Sequence, residues 1–223
     1  MVSVSDLTDY DWCPRSLWLR HKLGIRRPAV YSRGVAFHVL IHGMFEQVKR
    51  ALASDIPGRI VATELILPSK ASPDKVFGLT GRIDVLREER DGYIVQDEKY
   101  TSPPKTGRIY PGHKLQLDAY CFLAERDGYS PVKSAIIIYD DLRPREVAPD
   151  TERVPDIIMK VHDLLRNRYL PKTSQSKCEN CSYCPLCAIL PESGLTPEQI
   201  LVLRRGQTTV TETATLARSK VFH

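Results

Sequence analysis

The chain has 223 residues, of which 42% are hydrophobic and 26% charged, a composition that predicts one domain with a sizeable core and an appendage. No apolar run approaches the roughly 20 residues that span a bilayer, and the N-terminus lacks the regions of a secretory signal, so we expect a cytoplasmic protein without a membrane partner. The net charge of +5 favours a polyanionic partner. Basic residues concentrate within 14–50, which fits phosphate contacts or, equally, a solvated helical surface.

Hydrophobic periodicity predicts the secondary structure. In chain order, we expect a helix at 5–23, a helix at 34–53, strands at 59–67, 81–87 and 93–100, a helix at 113–125, a strand at 134–139, a helix at 152–169 and a helix start at 196–199. The Asp91-Gly92 pair marks a hairpin turn, and residues 101–112 form a Pro- and Gly-rich loop. Mixed strands flanked by helices indicate an α/β or α+β fold.

Two acids and a lysine converge on the predicted hairpin. Asp84 lies mid-strand, and the turn near Asp91-Gly92 places it opposite residues 97–99. Because side chains alternate along a strand, Asp97 and Lys99 share one face and Glu98 points away. Two close carboxylates repel unless a cation such as Mg²⁺ or Mn²⁺ neutralises them. The alternative is an ordinary hairpin with solvated acids and a lysine.

Helical spacing also pairs other polar side chains. His38 and His42 are four residues apart, as are Gln116 and Tyr120, so each pair lies on one helical face. The histidines suit either a metal or a hydrogen-bonded core, and the second pair could hold a phosphate or a water.

Four closely spaced cysteines lie near the C-terminal end of the predicted domain, at Cys178, Cys181, Cys184 and Cys187. Such intervals favour a shared metal centre over disulfides. Cys13, far upstream in a Cys-Pro pair, would join the two ends of the domain if it is a further ligand. Cys121 is most simply a buried apolar residue.

The order of these motifs resembles a known family, the small CRISPR-associated RecB-like exonucleases of the PD-(D/E)XK superfamily, which carry an iron–sulfur cluster. The likeness covers about residues 1–190. The motifs that carry it are Tyr10-x-x-Cys13-Pro14-Arg15, Gly34-x-x-x-His38, Gly81-Arg82-Ile83-Asp84, Asp97-x-Lys99, Gln116-x-x-x-Tyr120 and the terminal cysteines.

The resemblance implies a restriction-endonuclease-like core, a mixed β-sheet flanked by helices. It implies that His38, Asp84 and Asp97 bind the catalytic Mg²⁺ or Mn²⁺. The carbonyl of Glu98 would assist, and its carboxylate is a fallback ligand if the register shifts. Asp97 stands where many members carry glutamate.

The same likeness assigns the remaining roles. Lys99 would be the catalytic lysine, and Gln116 and Tyr120 would support the substrate or the site. The cluster, 4Fe-4S or 2Fe-2S, would be held by cysteines spaced as in the family. These are Cys13, Cys178, Cys181 and Cys187, with Cys184 as an alternative and a tetrahedral zinc as the competing metal.

The sequence therefore predicts a metal-dependent DNA exonuclease that acts on single-stranded ends. By resemblance it would process DNA fragments for the CRISPR integrase complex during spacer acquisition. The nuclease domain would span 1–190, closed by the cluster, and 191–223 would form a helical tail of unknown role. Two alternatives stay open: a non-catalytic DNA-binding scaffold subunit, and the nuclease subunit of a recombination-repair helicase–nuclease.

Overall fold

A computed structural model describes residues 1–24, 56–69, 78–99, 101–173, 187, 190 and 194–202. The predicted helix at 34–53 lies outside the described residues, together with His38, His42 and three of the clustered cysteines, Cys178, Cys181 and Cys184. None of the helices in the described part of the chain is long and apolar enough to cross a membrane.

The described residues form a six-stranded sheet and four helices. The strands are β1 (Val2–Ser3), β2 (Arg59–Leu67), β3 (Leu79–Glu89), β4 (Gly92–Glu98), β5 (Val132–Ile138) and β6 (Pro144–Val147). The helices are α1 (Val4–Trp12), α2 (Pro14–Leu23), α3 (Pro111–Arg126) and α4 (Val154–Arg166). In addition, residues 197–202 are helical.

The sheet is mixed. Its strand order is β1-β3-β4-β5-β6, and β2, off this path, pairs with β3 on the edge opposite β4. The β3–β4 pair is antiparallel, and β4 and β5 are parallel, so the chain crosses over through α3 between them. A mixed sheet flanked by helices is the fold class that the sequence predicts, and it is confirmed.

The prediction of one continuous helix at 5–23 is wrong. α1 ends at Trp12, α2 begins at Pro14, and Cys13 between them is extended, with φ −164° and ψ 112°. The cause is local, because the proline ring clashes with a helical backbone at the residue that precedes it. Pro14 itself fits the first position of the new helix, where no N–H is needed.

The chain divides into two compact units. The first contains Met1–Trp12 and Ala29–His162, and the second contains Cys13–Pro28 and Asp163–His223. The described sheet belongs to the first unit. The predicted division into residues 1–190 and 191–223 stays a prediction.

A buried ion network holds α3 within the first unit. The Asp118 carboxylate, which is fully buried, pairs with Lys114 and with Nη2 of Arg153, the latter at 3.0 Å. It also accepts a hydrogen bond of 2.9 Å from the backbone N–H of Asp150. These contacts tie the helix to the loop before α4.

The second unit has its own apolar core. Its buried members are Trp18, Leu19, Leu170, Leu190 and Ile200. Two α2 side chains donate hydrogen bonds to the backbone of the segment that follows α4. Nε of Arg15 donates to the Pro171 carbonyl at 2.8 Å, and Nε1 of Trp18 donates to the Asn167 carbonyl at 3.0 Å.

The helix start predicted at Thr196 is confirmed. The hydroxyl of Thr196 accepts from the N–H of Gln199, and the side-chain oxygen of Gln199 accepts from the N–H of Thr196 at 2.8 Å. This reciprocal pair is a capping box, the arrangement that the Thr-Pro-Glu-Gln sequence predicts.

Candidate active site

The β3–β4 hairpin brings Asp84 to the end of β4. Val85 pairs with Gln96, and the register continues so that Oδ2 of Asp84 accepts a hydrogen bond of 2.8 Å from the backbone N–H of Glu98. The two-residue turn at Arg90-Asp91, one position before the predicted Asp91-Gly92 pair, sets this register. Asp84 is therefore fixed beside residues 97–99 by the backbone itself.

Asp97 is the most perturbed acid of the site. Its side chain is 2% exposed, and Nζ of Lys99 lies 2.6 Å from its Oδ2. The two groups are not aligned as a hydrogen bond, and Oδ2 has no other hydrogen-bond partner among the described residues. Burial raises the pKa of Asp97 to about 7, although the charge of Lys99 acts to lower it and that of Asp84 raises it further. The raised pKa therefore shows that burial, together with the neighbouring Asp84 carboxylate, outweighs the attraction of the single Lys99 ammonium.

Helix α3 adds Gln116 and Tyr120 to the same site. Nε2 of Gln116 donates to the Tyr120 hydroxyl at 2.9 Å. Burial raises the pKa of Tyr120 well above its usual value, and the negative charge of Asp97 raises it further. The Tyr120 side chain is therefore close enough to Asp97 to be affected by its negative charge, and the Tyr120 hydroxyl keeps its proton.

Gly81 explains how α3 approaches β3 so closely. A Cβ atom at Gly81 would lie 2.8 Å from Cγ2 of Val4 and 2.9 Å from Cε1 of Tyr120, closer than real Cβ contacts. The glycine of the Gly81-Arg82-Ile83-Asp84 motif therefore leaves room for the Tyr120 ring.

The Glu98 carboxylate belongs to a different environment. Its Oε1 accepts a hydrogen bond of 3.0 Å from the amide of Gln96, whose own oxygen accepts one of 3.0 Å from Nε of Arg87. Arg87 also donates to the carbonyls of Ile56 and Gly58. Gln96 and Glu98 alternate with Asp97 along β4, so this network occupies the opposite face of the sheet. The Glu98 carboxylate, predicted as a fallback ligand, therefore does not lie on the face that carries Asp97.

The remaining predicted ligands are distributed as follows. His38 and the cysteines at 178, 181 and 184 lie outside the described residues, whereas Cys13 and Cys187 belong to the second unit. Within the described ranges, no group of three or more His, Cys, Asp or Glu side chains is arranged to hold a metal. The first-unit site, as described, thus supplies two carboxylates and a lysine.

Sequence reasoning missed His113 and the tyrosines that surround it. His113 contacts the hydroxyl of Tyr139, and burial together with the charge of Lys99 lowers the pKa of His113 to about 4. A signal was present, because His113 precedes Gln116 by three residues and Tyr120 by seven, the spacing of one helical face.

Comparisons with known proteins identify the family of this chain. The PD-(D/E)XK nuclease superfamily matches residues 40–188. The CRISPR-associated exonuclease Cas4 of Francisella tularensis subsp. novicida (strain U112) is 24% identical over 194 residues, which cover 83% of this chain and 93% of that protein. The crystal structure of SSO0001 superposes with a TM-score of 0.54 at 22% identity and covers 87% of each chain, a likeness that shows the fold.

The match to the superfamily spans well over half of the chain and includes the acids, the lysine and the α3 pair described above. This chain therefore belongs to the PD-(D/E)XK nuclease superfamily, and its likeness to Cas4 supports a place among the RecB-like nucleases.

Proposed function

We propose that this nuclease is a divalent-metal-dependent DNA exonuclease that acts on single-stranded ends. The observation that carries the proposal is the meeting of Asp84, Asp97 and Lys99 at the adjoining ends of β3 and β4. Two acids and a lysine in this arrangement are suited to bind a cation and to act on a phosphate.

The chemistry of the donors fits Mg²⁺ or Mn²⁺. Oδ2 of Asp97 is buried without an aligned hydrogen bond, and a carboxylate with a raised pKa is one that a cation would stabilise. We propose that Asp84, Asp97 and His38 hold the ion and that the carbonyl of Glu98 assists. When bound, such an ion lowers the pKa of a water molecule and neutralises charge on the scissile phosphate.

The protein's own groups supply the rest of the mechanism. The Lys99 ammonium, whose side chain is 18% exposed, is held at Asp97 and can reach a phosphate oxygen or orient the attacking water. The Tyr120 hydroxyl keeps its proton and accepts a hydrogen bond from the Gln116 amide, so its O–H can donate a hydrogen bond to the substrate. Lys99 therefore acts on the reacting atoms, and the α3 pair positions them.

The first test is Lys99→Ala, with Lys133→Ala as its matched control. Lys133 is also paired to an aspartate, Asp91, but lies beside the β3–β4 turn, at the far end of β4. We expect Lys99→Ala to lower single-turnover cleavage of labelled single-stranded DNA by at least about 100-fold. DNA binding, measured by fluorescence anisotropy, should change little. Unchanged cleavage by Lys99→Ala would refute the assigned role.

A second test separates an exonuclease from a binding scaffold. Linear single-stranded DNA should be degraded with Mg²⁺ or Mn²⁺ and spared with a chelator, and circular single-stranded DNA should stay intact. Asp84→Ala should abolish degradation of the linear strand. Activity that survives Asp84→Ala, or that cuts circles equally well, would contradict the proposal.

We further propose that the second unit carries an iron–sulfur cluster with a structural role. Cys13 is buried directly before α2, and Cys187 packs against the core that Trp18 and Leu19 of α2 help to form. These two cysteines thus belong to one compact unit. The proposed ligands are Cys13, Cys178, Cys181 and Cys187, with Cys184 as the alternative.

The cluster proposal is tested on anaerobically purified protein. Iron and acid-labile sulfide should be present together, and single Cys→Ser variants should lose iron at each ligand. The Cys184→Ser protein should retain iron if Cys187 is the ligand. If Cys184→Ser loses iron and Cys187→Ser retains it, Cys184 is the ligand instead. A colourless protein that contains zinc would overturn the proposal.

The likeness to a CRISPR-associated exonuclease motivates the biological role. We propose that the enzyme trims single-stranded ends of DNA fragments before the CRISPR integrase complex inserts them. A reconstituted integration reaction with overhanging fragments should give inserts of uniform length with the active enzyme and not with Lys99→Ala. Equal insert lengths in both reactions would remove this role without affecting the nuclease assignment.

A further inference from the structure

Three aromatic side chains meet beside Lys99. Tyr110, His113 and Tyr139, here termed the aromatic cluster, have ring centroids 5.3 Å apart for Tyr110 and His113, 5.6 Å for His113 and Tyr139, and 6.1 Å for the two tyrosines. The nuclease chemistry proposed above uses none of them.

The topology places the cluster next to the proposed site. β4 and β5 are parallel with Glu98 opposite Ile138, and the N–H of Lys99 donates to the Ile138 carbonyl at 2.8 Å. Tyr139 therefore lies beside Lys99 as the two strands end. His113 lies one helical turn before Gln116 on α3, so the cluster continues the line of the α3 pair.

The contacts within the cluster are compatible with a neutral His113 that carries its proton on Nε2. The Tyr139 hydroxyl accepts from the backbone N–H of Tyr110 at 3.3 Å and lies 3.0 Å from Nδ1 of His113. In the tautomer in which the Tyr139 hydroxyl donates to Nδ1, the neutral imidazole accepts that hydrogen bond. The imidazole hydrogen is then on Nε2, which has no hydrogen-bond partner among the described residues.

The cluster presents one face outwards. Tyr139 is fully buried, whereas Tyr110 is 40% exposed and rests edge-on against both other rings. The Arg145 guanidinium lies 5.2 Å from the Tyr139 ring centre and is held by Asp141. A rigid ring with cations nearby is the arrangement that binds unpaired bases by stacking and their phosphates by charge.

We propose that the aromatic cluster binds the unpaired nucleotide next to the scissile phosphate, with its base stacked on Tyr110 and a phosphate oxygen bonded to Nε2–H of His113. The inference deepens the proposed function, on which it rests, because it assigns the preference for single strands to a subsite. A base in a duplex is already stacked and paired, so it gains less binding energy from stacking on Tyr110 than an unpaired base does.

The experiment compares Tyr110→Ala with Tyr129→Ala, a control whose tyrosine lies beyond the opposite end of α3 and packs on Tyr93. Each protein is tested on single strands with a normal or an abasic nucleotide near the end. We expect Tyr110→Ala to raise KM for the normal strand about 5- to 100-fold, with a smaller change in kcat. Replacing the normal strand by the abasic strand should raise the KM of the wild type by a similar factor. The same replacement should raise the KM of Tyr110→Ala little further.

The outcomes separate the subsite from the nuclease assignment. The inference fails if the wild type cleaves normal and abasic strands equally well. It also fails if the effects of the Tyr110→Ala substitution and of the missing base on KM multiply, because the base then does not touch Tyr110. Because the wild-type comparison needs no variant, a poorly folded Tyr110→Ala protein leaves the test intact. If the wild type cleaves no strand with any metal, the proposed function fails instead, and anisotropy with the same strands still measures base stacking.

Discussion

Replacing the buried acid of the proposed site should make the metal-free protein more stable. In Asp97→Asn, a neutral amide of the same shape takes the place of a carboxylate that burial penalises. The folded protein holds the Asp97 proton up to about pH 7, whereas the unfolded chain releases it near the ordinary value of 3.8. Folding is therefore favoured by this group at low pH and disfavoured once the group is ionised.

The size and sign of the effect follow from proton linkage. The contribution of Asp97 to the free energy of unfolding is fully present below about pH 4, falls as the pH rises to about 7, and is level above that. At roughly 1.4 kcal/mol per pH unit, the total loss is about 4 kcal/mol. Asp97→Asn avoids this loss, and about 4 kcal/mol is the upper limit of its advantage because the new amide hydrogens also need acceptors.

The measurement is urea unfolding of chelator-treated wild type and Asp97→Asn at pH 5 and pH 8. Asp141→Asn is the matched control, because a hydrogen bond from Arg145 lowers the pKa of Asp141 and reverses the expected sign. The gain for Asp97→Asn should be larger at pH 8 than at pH 5, whereas Asp141→Asn should be slightly less stable than the wild type at pH 8.

Added metal should reverse the order of stability of the wild type and Asp97→Asn, so that the wild type becomes the more stable protein. Under the proposed function Mn²⁺ binds the folded wild type, so saturating Mn²⁺ should stabilise it, more at pH 8 than at pH 5.5, because protons compete for Asp97. Asp97→Asn should respond little and should lack nuclease activity. An Asp97→Asn protein that is less stable than the wild type at pH 8 without metal would refute the argument that this carboxylate is held at a cost to folding.

Three further predictions concern the residues that surround the site. Gly81→Ala should destabilise the protein by about 1–3 kcal/mol in urea unfolding and lower kcat, because the new methyl group pushes on Tyr120. Glu98→Gln should keep most of the nuclease activity if only the backbone carbonyl of residue 98 serves the site, but should lower stability because Arg87 loses a nearby negative charge. Asp118→Ala should cost about 2–4 kcal/mol in the same unfolding assay, because a fully buried acceptor of two cations and a backbone N–H is removed.

The hairpin and its register could be predicted from the sequence because their determinants are local. A turn predicted near Asp91-Gly92 and the alternation of side chains place Asp84 opposite residues 97–99, and the structure, with its turn at Arg90-Asp91, has it there. The end of α1 was also predictable, since Pro14 excludes a helical Cys13, but apolar periodicity on both sides of the proline concealed it.

The burial of Asp97 and the aromatic cluster were beyond local reasoning. Burial of Asp97 depends on α3 lying over the sheet, which in turn needs Gly81 beneath Tyr120, a contact between residues distant in sequence. Tyr139 reaches His113 only because β5 runs parallel to β4, and a parallel partner is not set by any turn. Such contacts belong to the topology, and no window of the sequence contains them.

The two acids of β4 show how burial alone fails to identify a functional residue. Glu98 and Asp97 are neighbours, and both are buried. Glu98 accepts an amide hydrogen bond within a network that ends at Arg87, as buried polar groups with structural roles generally do. Asp97 has a lysine nearby but no aligned hydrogen bond to Oδ2 among the described residues, and its pKa is raised. A buried carboxylate left without sufficient partners costs stability, and a site that binds a cation is where that cost is offset. The stability of Asp97→Asn and the activity of Glu98→Gln therefore test one distinction, with opposite outcomes expected on the two faces of a single strand.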